Sequence, residues 1–172
     1  FRTPHPVISE LPEQKKIEGL GGTMRLGGQE VEIRLGTLAS FLYSRHGGSV
    51  GVEGGSRARE ANGVMNVRER FRHRFEVDPR YIDQLEAGGL IFCGRHPEQP
   101  IMQVLELSSQ GEQSPHPFFI AAQFHPELTG RPLRPQPLFM GLCAAAISRK
   151  YAMSASDPAA DPAVARWLYR AT

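Results

Sequence analysis

The chain has 172 residues, with 18 glycines, 14 prolines and 40% hydrophobic residues, and its formal net charge is +2. This length and apolar share predict one globular domain built around one core. A charge so close to zero excludes the strong positive field that attracts nucleic acid or anionic membranes, so neither is expected as a partner.

The cellular location is predicted from the absence of targeting signals. No apolar run approaches the length of a membrane span, and residues 1–6 lack the charged and then apolar opening of a signal peptide. Two cysteines cannot build a disulfide framework, which favours a reducing compartment and predicts a cytoplasmic protein. Since the chain starts without Met in a proline-containing loop, we expect it to be a fragment of a longer protein.

The first third of the chain predicts strands, one short helix and a long loop. Val31, Ile33 and Leu35 alternate with charged residues, which predicts strands in a hairpin that turns at Gly27-Gly28. A helix is predicted over 37–43, capped by Thr37. Residues 45–63 carry six glycines among charges and lack the ending of a phosphate-binding loop, which favours a flexible insertion.

The middle third predicts more strands around a second helix. Alternation over residues 67–77 predicts a strand with four arginines on one face and, on the other, Val67, Glu69, Phe71, His73, Phe75 and Val77. Pro79 then opens a helix that ends at Gly88-Gly89, and strands follow over 90–94 and 101–107. Strands alternating with helices predict a mixed sheet covered by helices.

The last third predicts one buried strand and one long helix. The continuous apolar run over 118–124 is typical of a strand buried on both faces. A helix is predicted over 138–151, with its core face formed by Leu142, Ala145, Ala146 and Ile147. We therefore expect a domain over 1–153 and a loose tail over 154–172, with a helix candidate at 162–169.

The residues most suited to catalysis are His125 and Glu127, which lie with Pro126 between them at the end of the buried strand. A carboxylate that binds Nδ1–H of a histidine leaves Nε2 free to act as a general base, as in a Cys-His-Glu or Ser-His-Glu triad. The same spacing also occurs in capped surface turns and around buried structural histidines, so the tripeptide alone leaves both interpretations open.

No residue of the chain has the pattern of a matching nucleophile. An elbow of the type G-x-C-x-G or G-x-S-x-G is absent, because Cys93 lies on a predicted strand and Cys143 lies within the apolar pattern of a helix. Cys143 is therefore predicted to be a buried, inert thiol. The six histidines are scattered without ligand spacing, so no metal site is expected.

Three segments carry a resemblance to a known family. These are Gly21-Gly22-Thr23-Met24-Arg25-Leu26-Gly27, the run Arg70 to Val77, and the stretch from His116-Pro117 to His125-Pro126-Glu127. Together they resemble the carboxyl-terminal glutaminase domain of the CTP synthase family, within the class I glutamine amidotransferases. The resemblance covers about Phe1 to Tyr151. It implies the carboxyl-terminal portion of that flavodoxin-like α/β fold, with an open, mixed and mostly parallel sheet flanked by helices.

The resemblance assigns roles to three residues. His125 is implied to be the general base and later the general acid, Glu127 to orient it, and Arg74 to bind glutamine near its α-carboxylate. Without the resemblance, Arg74 is predicted to form an ordinary surface ion pair with Glu69 or Glu76. Residues 15–27 are implied to form a lid near the effector site for GTP and the ammonia path.

The implied function is hydrolysis of glutamine to glutamate and ammonia, the ammonia then serving the ATP-dependent amination of UTP to CTP. The cysteine nucleophile and the synthase domain, with its ATP and magnesium, are expected outside this segment, and a homotetramer is implied for the intact enzyme. No cofactor is expected in the segment itself. The alternatives are another class I glutamine amidotransferase, a γ-glutamyl hydrolase, or a regulatory module that has lost its nucleophile.

Overall fold

The computed structural model describes residues 3–10, 25–46, 59–107, 116 and 118–151. The described strands form a two-stranded sheet, β1–β5, and a six-stranded sheet in the order β3-β4-β2-β6-β7-β8. The strands are β1 (Ile8–Glu10), β2 (Arg25–Arg34), β3 (Arg59–Ala61), β4 (Val64–His73), β5 (Phe75–Val77), β6 (Leu90–Arg95), β7 (Met102–Leu107) and β8 (Ile120–Ala122). The helices are α1 (Leu38–His46), α2 (Ile82–Ala87) and α3 (Pro137–Tyr151), with short 3₁₀ helices at Pro79–Tyr81 and Pro126–Leu128.

The described sheets are antiparallel, so the prediction of a mostly parallel sheet is wrong for this part of the chain. The connections explain the difference. β3 and β4 are joined by Asn62-Gly63, whose φ angles of 53° and 78° suit the tightest hairpin turns. β6 and β7 are likewise joined by a short turn, closed by the bond from His96 N–H to Ile101 O (2.9 Å). Connections this short can join only antiparallel strands, whereas parallel strands need a long crossover.

The predicted hairpin at Gly27-Gly28 is also wrong, because β2 runs unbroken past both glycines and pairs with β4 from Arg25 to Arg34. Gly28 lies opposite Arg70, and a methyl group added at Gly28 would come within 2.8 Å of Arg68 Nε. This glycine therefore makes room for an arginine that crosses the strand pair.

The inward face predicted for a strand over residues 67–77 is confirmed in β4 only as far as His73. Val67, Glu69 and Phe71 are buried, but the strand breaks at Arg74 and restarts as β5. After the break the alternation is reversed, since Phe75 is 55% exposed and Glu76 is 1% exposed. β5 leaves the main sheet and pairs with β1 instead.

The predicted helix over 37–43 is confirmed as α1, and its first turn is held by two separate caps. Ser40 N–H donates to Thr37 Oγ1 (3.2 Å) while Thr37 N–H donates to Ser40 Oγ (3.1 Å). The Glu106 carboxylate on β7 accepts the next two backbone N–H groups, from Leu38 (2.9 Å) and Ala39 (3.0 Å). A carboxylate at a helix N-terminus satisfies free N–H groups and complements the helix dipole.

The long helix is confirmed as α3, but its predicted core face is wrong. Leu142 and Ile147 are 55% and 41% exposed, whereas Gly141 and Ala144 are buried. A methyl group at Gly141 would lie 2.8–2.9 Å from carbons of Phe118 and Leu42, so the helix approaches α1 through its smallest residue. Leu138, at the first turn of α3, joins the core cluster formed by buried residues of β2, α1 and β4.

The predicted doubly buried strand over 118–124 is wrong in the described sheet. β8 has three residues, pairs only with β7 and exposes Ala121, because it lies at an edge of the six-stranded sheet. The predictions for most of the glycine-rich stretch, for lid residues 15–24 and for the tail over 154–172 fall outside the described residues. Among the described residues, no helix has the length and apolar character needed to cross a membrane.

Candidate active site

The His125-Pro126-Glu127 tripeptide follows β8 after two intervening residues and is attached to β4. Phe124 is 2% exposed and packs edge-on against Phe71 of β4, with 5.9 Å between ring centroids. The next backbone N–H, from His125, donates to Arg70 O at 2.9 Å. Pro126 then opens a 3₁₀ helix, since its fixed φ suits the first helical position. The His125 side chain therefore projects from a fixed backbone at the edge of the core.

The predicted pairing of His125 with Glu127 is present in the structure. His125 Nδ1 lies 2.5 Å from Glu127 Oε1. A carboxylate accepts, so Nδ1 carries the proton and Nε2 of the neutral ring keeps its lone pair. The Glu127 side chain is 53% exposed, and its own backbone N–H and then His125 hold the pKa of that carboxyl below its usual range. Glu127 is thus ionised at neutral pH and suited to orient the ring.

Two neighbours of His125 on β4 were missed by sequence reasoning. The His73 ring stacks on the His125 ring, with 4.9 Å between centroids and 14° between planes. Burial, then His125 and Arg72, lower the pKa of His73, so this ring stays neutral. Arg72 Nε donates to His125 Nε2 at 3.4 Å. Alternation along the strand gave no signal for this pair, because adjacent residues point to opposite faces of a sheet, yet both side chains reach His125.

Arg74 lies in the break between β4 and β5 and is exposed. Both of its chain neighbours contact the segment that carries the tripeptide. His73 stacks on His125, and Gln123 Nε2 donates to Phe75 O at 3.0 Å. Within the described residues Arg74 forms no ion pair with Glu69 or Glu76. Its backbone is therefore beside the candidate site, and its glutamine-binding role stays a prediction.

Neither cysteine is a partner for His125 among the described contacts. Cys93 is buried on β6, where burial and then Glu106 raise the pKa of its thiol far above the usual range. Cys143 is exposed on α3, so the prediction that it is buried is wrong. The described residues contain no group of three or more His, Cys, Asp or Glu side chains that could hold a metal ion.

A buried polar cluster below the tripeptide was also missed. We call it the Glu69 network; its members are Glu69, Tyr43, Gln136 and Thr129. Tyr43 Oη donates to Glu69 Oε1 (2.6 Å), Thr129 Oγ1 donates to Glu69 Oε2 (3.0 Å), and Gln136 Nε2 lies 3.2 Å from Glu69 Oε1. The available signal was Glu69 itself, because a carboxylate on an apolar strand face must be partnered.

The comparisons with known proteins agree with this geometry. The sequence model of the class I glutamine amidotransferases matches residues 7–145. The chain therefore belongs to the class I glutamine amidotransferase family.

Within that class, the chain is similar to CTP synthases, which confirms the predicted resemblance. It is 48% identical over 145 residues to the CTP synthase of Haloarcula marismortui, covering 84% of this chain and 22% of the relative. For the CTP synthase of Archaeoglobus fulgidus the identity is 45%, over 84% of this chain and 23% of the relative. The chain thus spans less than a quarter of the length of these relatives.

One solved structure is similar in fold: the glutaminase domain of the Trypanosoma brucei CTPS with bound acivicin. Its TM-score is 0.60 at 26% identity, over 84% of this chain and 47% of that chain. The class I fold is confirmed by this match, although the described sheet is antiparallel.

Proposed function

We propose that this chain supplies the acid–base part of a glutaminase that hydrolyses glutamine to glutamate and ammonia. The observation that carries the proposal is the contact between His125 Nδ1 and Glu127 Oε1, which directs the lone pair of Nε2 away from the carboxylate. Membership of the class I glutamine amidotransferases supports the choice of glutamine as substrate.

In the proposed mechanism a cysteine outside these 172 residues is the nucleophile. Its thiol first gives its proton to His125 Nε2. The thiolate then attacks the side-chain amide carbon of glutamine, and His125 Nε2–H protonates the departing nitrogen as the C–N bond breaks. The products are ammonia and a glutamyl thioester. His125 Nε2 then takes a proton from water, whose oxygen attacks the thioester and releases glutamate and the thiolate. Glu127 stabilises the imidazolium that forms each time Nε2 takes up a proton.

Arg74 is proposed to bind the α-carboxylate of glutamine. An exposed guanidinium without an acidic partner among the described residues is available for a ligand, and arginine binds carboxylates with two parallel hydrogen bonds. The flanking contacts of His73 and Phe75 place the Arg74 backbone beside the tripeptide.

The similarity to CTP synthases extends the proposal beyond this segment. We propose that the ammonia passes to a synthase domain that aminates UTP to CTP with ATP and magnesium, with GTP as effector. The remaining three quarters of such a protein would hold the nucleophile and that domain. A cytoplasmic homotetramer is the proposed assembly.

The test is His125→Ala in the full-length protein that carries this segment. We expect glutamine-dependent CTP formation to be lost while ammonia-dependent CTP formation persists, because ammonia bypasses the glutaminase. The matched control is His96→Ala, which removes a histidine that also precedes Pro-Glu. If both activities survived in His125→Ala, the assignment of the base would be wrong. A wild-type protein that does not hydrolyse glutamine would instead favour a regulatory module.

A further inference from the structure

We propose that Thr129 and Glu69 are positioning residues for the histidine–carboxylate pair. The bond from Thr129 Oγ1 to Glu69 Oε2 fixes the far end of the 3₁₀ helix that carries Glu127. This inference rests on the proposed glutaminase function, because a held turn matters to catalysis only if His125 and Glu127 act on a substrate.

The tripeptide is attached to β4 on both sides. At its first residue, His125 N–H donates to Arg70 O; two residues after its last, Thr129 Oγ1 donates to Glu69. These two anchors are consecutive residues of one strand, so a single rigid element fixes both ends of the turn. Glu127 lies between the anchors with an exposed side chain, so its direction depends on the shape of the turn.

The directions of the hydrogen bonds in the Glu69 network require a donor at Thr129. Gln136 Oε1 accepts the N–H of Leu138 at 2.7 Å, which directs Gln136 Nε2 towards Tyr43 Oη (2.8 Å) and Glu69. Tyr43 Oη therefore accepts from Gln136 and donates to Glu69. An ionised carboxylate can only accept, so the contact with Glu69 uses the single proton of the Thr129 hydroxyl; the alternative acceptor for that proton is Pro126 O, at 3.2 Å in the same turn.

Burial makes this arrangement difficult to replace. Glu69 is 5% exposed, and burial raises the pKa of its carboxyl while its three hydrogen bonds lower it. The carboxylate thus depends on its donors, and water cannot easily substitute for the Thr129 hydroxyl. The network also joins α1, β4 and the start of α3, so the position of the turn is fixed relative to the core.

The experiment compares Thr129→Val with Thr129→Ser in the full-length protein. Valine keeps the shape and removes the hydroxyl, whereas serine restores the hydroxyl. We expect Thr129→Val to lower kcat for glutamine hydrolysis about 10- to 100-fold at little change in KM, because small misplacements of catalytic groups have effects of this size. Thr129→Ser should recover most of the lost kcat.

The control for a merely structural effect is Val67→Ala, a truncation on the same buried face of β4 that removes none of the hydrogen bonds of the network. We expect it to lower the thermal stability and to leave kcat unchanged. Wild-type kcat in Thr129→Val, or equal loss in the valine and serine variants, would overturn the positioning role.

A second measurement separates this inference from the proposed function. We expect the proton between His125 Nδ1 and Glu127 to give a downfield NMR signal in the wild type and in Thr129→Ser but not in Thr129→Val. If the wild type does not hydrolyse glutamine, the proposed function fails, and this signal still decides the positioning role. A signal that is the same in all three proteins would refute it.

Discussion

The chain contains the tripeptide His-Pro-Glu twice, and the two copies have opposite chemistry. His96-Pro97-Glu98 lies in the turn between β6 and β7, whereas His125-Pro126-Glu127 follows β8. In the first copy His96 Nδ1 accepts the backbone N–H groups of Glu98 (3.1 Å) and Gln99 (3.2 Å). In the second, Nδ1 lies against the Glu127 carboxylate.

This difference decides which ring nitrogen holds the proton. A backbone N–H can only donate, so Nδ1 of His96 carries a lone pair and the proton of the neutral ring lies on Nε2. His125 has the reverse tautomer, with a basic Nε2. The tripeptide is therefore not a catalytic motif by itself; the group bound to Nδ1 makes it a turn cap or a candidate base.

The largest expected effect comes from removing the negative charge of the glutamate in each tripeptide. In the full-length protein, Glu127→Gln should lower kcat for glutamine hydrolysis roughly 10²- to 10⁴-fold, the range of general acid–base catalysis, because an amide cannot stabilise the imidazolium. The control Glu98→Gln should retain the wild-type rate, since the backbone N–H of Glu98, which the substitution keeps, binds its histidine. Equal losses in both variants would remove the distinction between the copies.

The next largest difference is expected between the residues that precede the two tripeptides. It concerns the free energy of unfolding. Phe124 is buried, so Phe124→Ala is expected to lower the free energy of unfolding by about 3–5 kcal/mol. Arg95 precedes the first copy; its side chain is 60% exposed and lies 3.1 Å from Glu32. Arg95→Ala should lower the free energy of unfolding by about 1 kcal/mol at most. Chemical denaturation measures both, and a small loss in Phe124→Ala would show that the second tripeptide is not anchored by the core.

Only the second copy has Arg74 beside it, and Arg74→Ala should raise the KM for glutamine. The expected rise is about 10- to 100-fold, which corresponds to the loss of a charge-assisted hydrogen bond. Steady-state kinetics of glutamine hydrolysis measures it, with Arg68→Ala as the control, since that exposed arginine of β4 pairs with Glu30. An unchanged KM in Arg74→Ala would rule out the glutamine-binding role.

The smallest effect concerns pH and the ring that stacks on His125. Because the pKa of His73 is lower in the folded protein than the ordinary histidine value, the unfolded chain binds more protons as the pH falls. The stabilisation that neutral His73 contributes is fully present above about pH 6.5. It is lost as the pH falls towards the pKa of His73 in the folded protein. His73→Phe keeps the ring, so its Tm should fall less than that of the wild type between pH 7.5 and pH 5.5. Identical slopes would contradict the assignment.

Local patterns predicted much of this molecule. The positions of α1 and α3, the strands around residues 90–107 and the pairing of His125 with Glu127 follow from residues close together in the sequence. The errors have a common cause in long-range contacts. Sheet direction depends on which strands pair, and the exposure of Leu142 depends on which face of α3 meets α1.

The same limit explains why the Glu69 network was missed. Glu69 binds Tyr43, Thr129 and Gln136, which are 26, 60 and 67 residues away in the sequence. No periodicity or spacing connects such positions. Sequence reasoning identified the pair that faces substrate in our proposal, but not the Glu69 network that holds it.

The small β1–β5 sheet has a consequence for the order of folding. Ser9 Oγ donates to Asp78 Oδ2 across 69 residues of sequence, and the ladder between β1 and β5 has only three residue pairs. Closing so long a loop carries an entropic cost that three pairs cannot offset alone, so we expect this ladder to form after the ten-residue pairing of β2 with β4. The chain around Arg74 would then reach its final shape late, when the acid–base pair is already anchored.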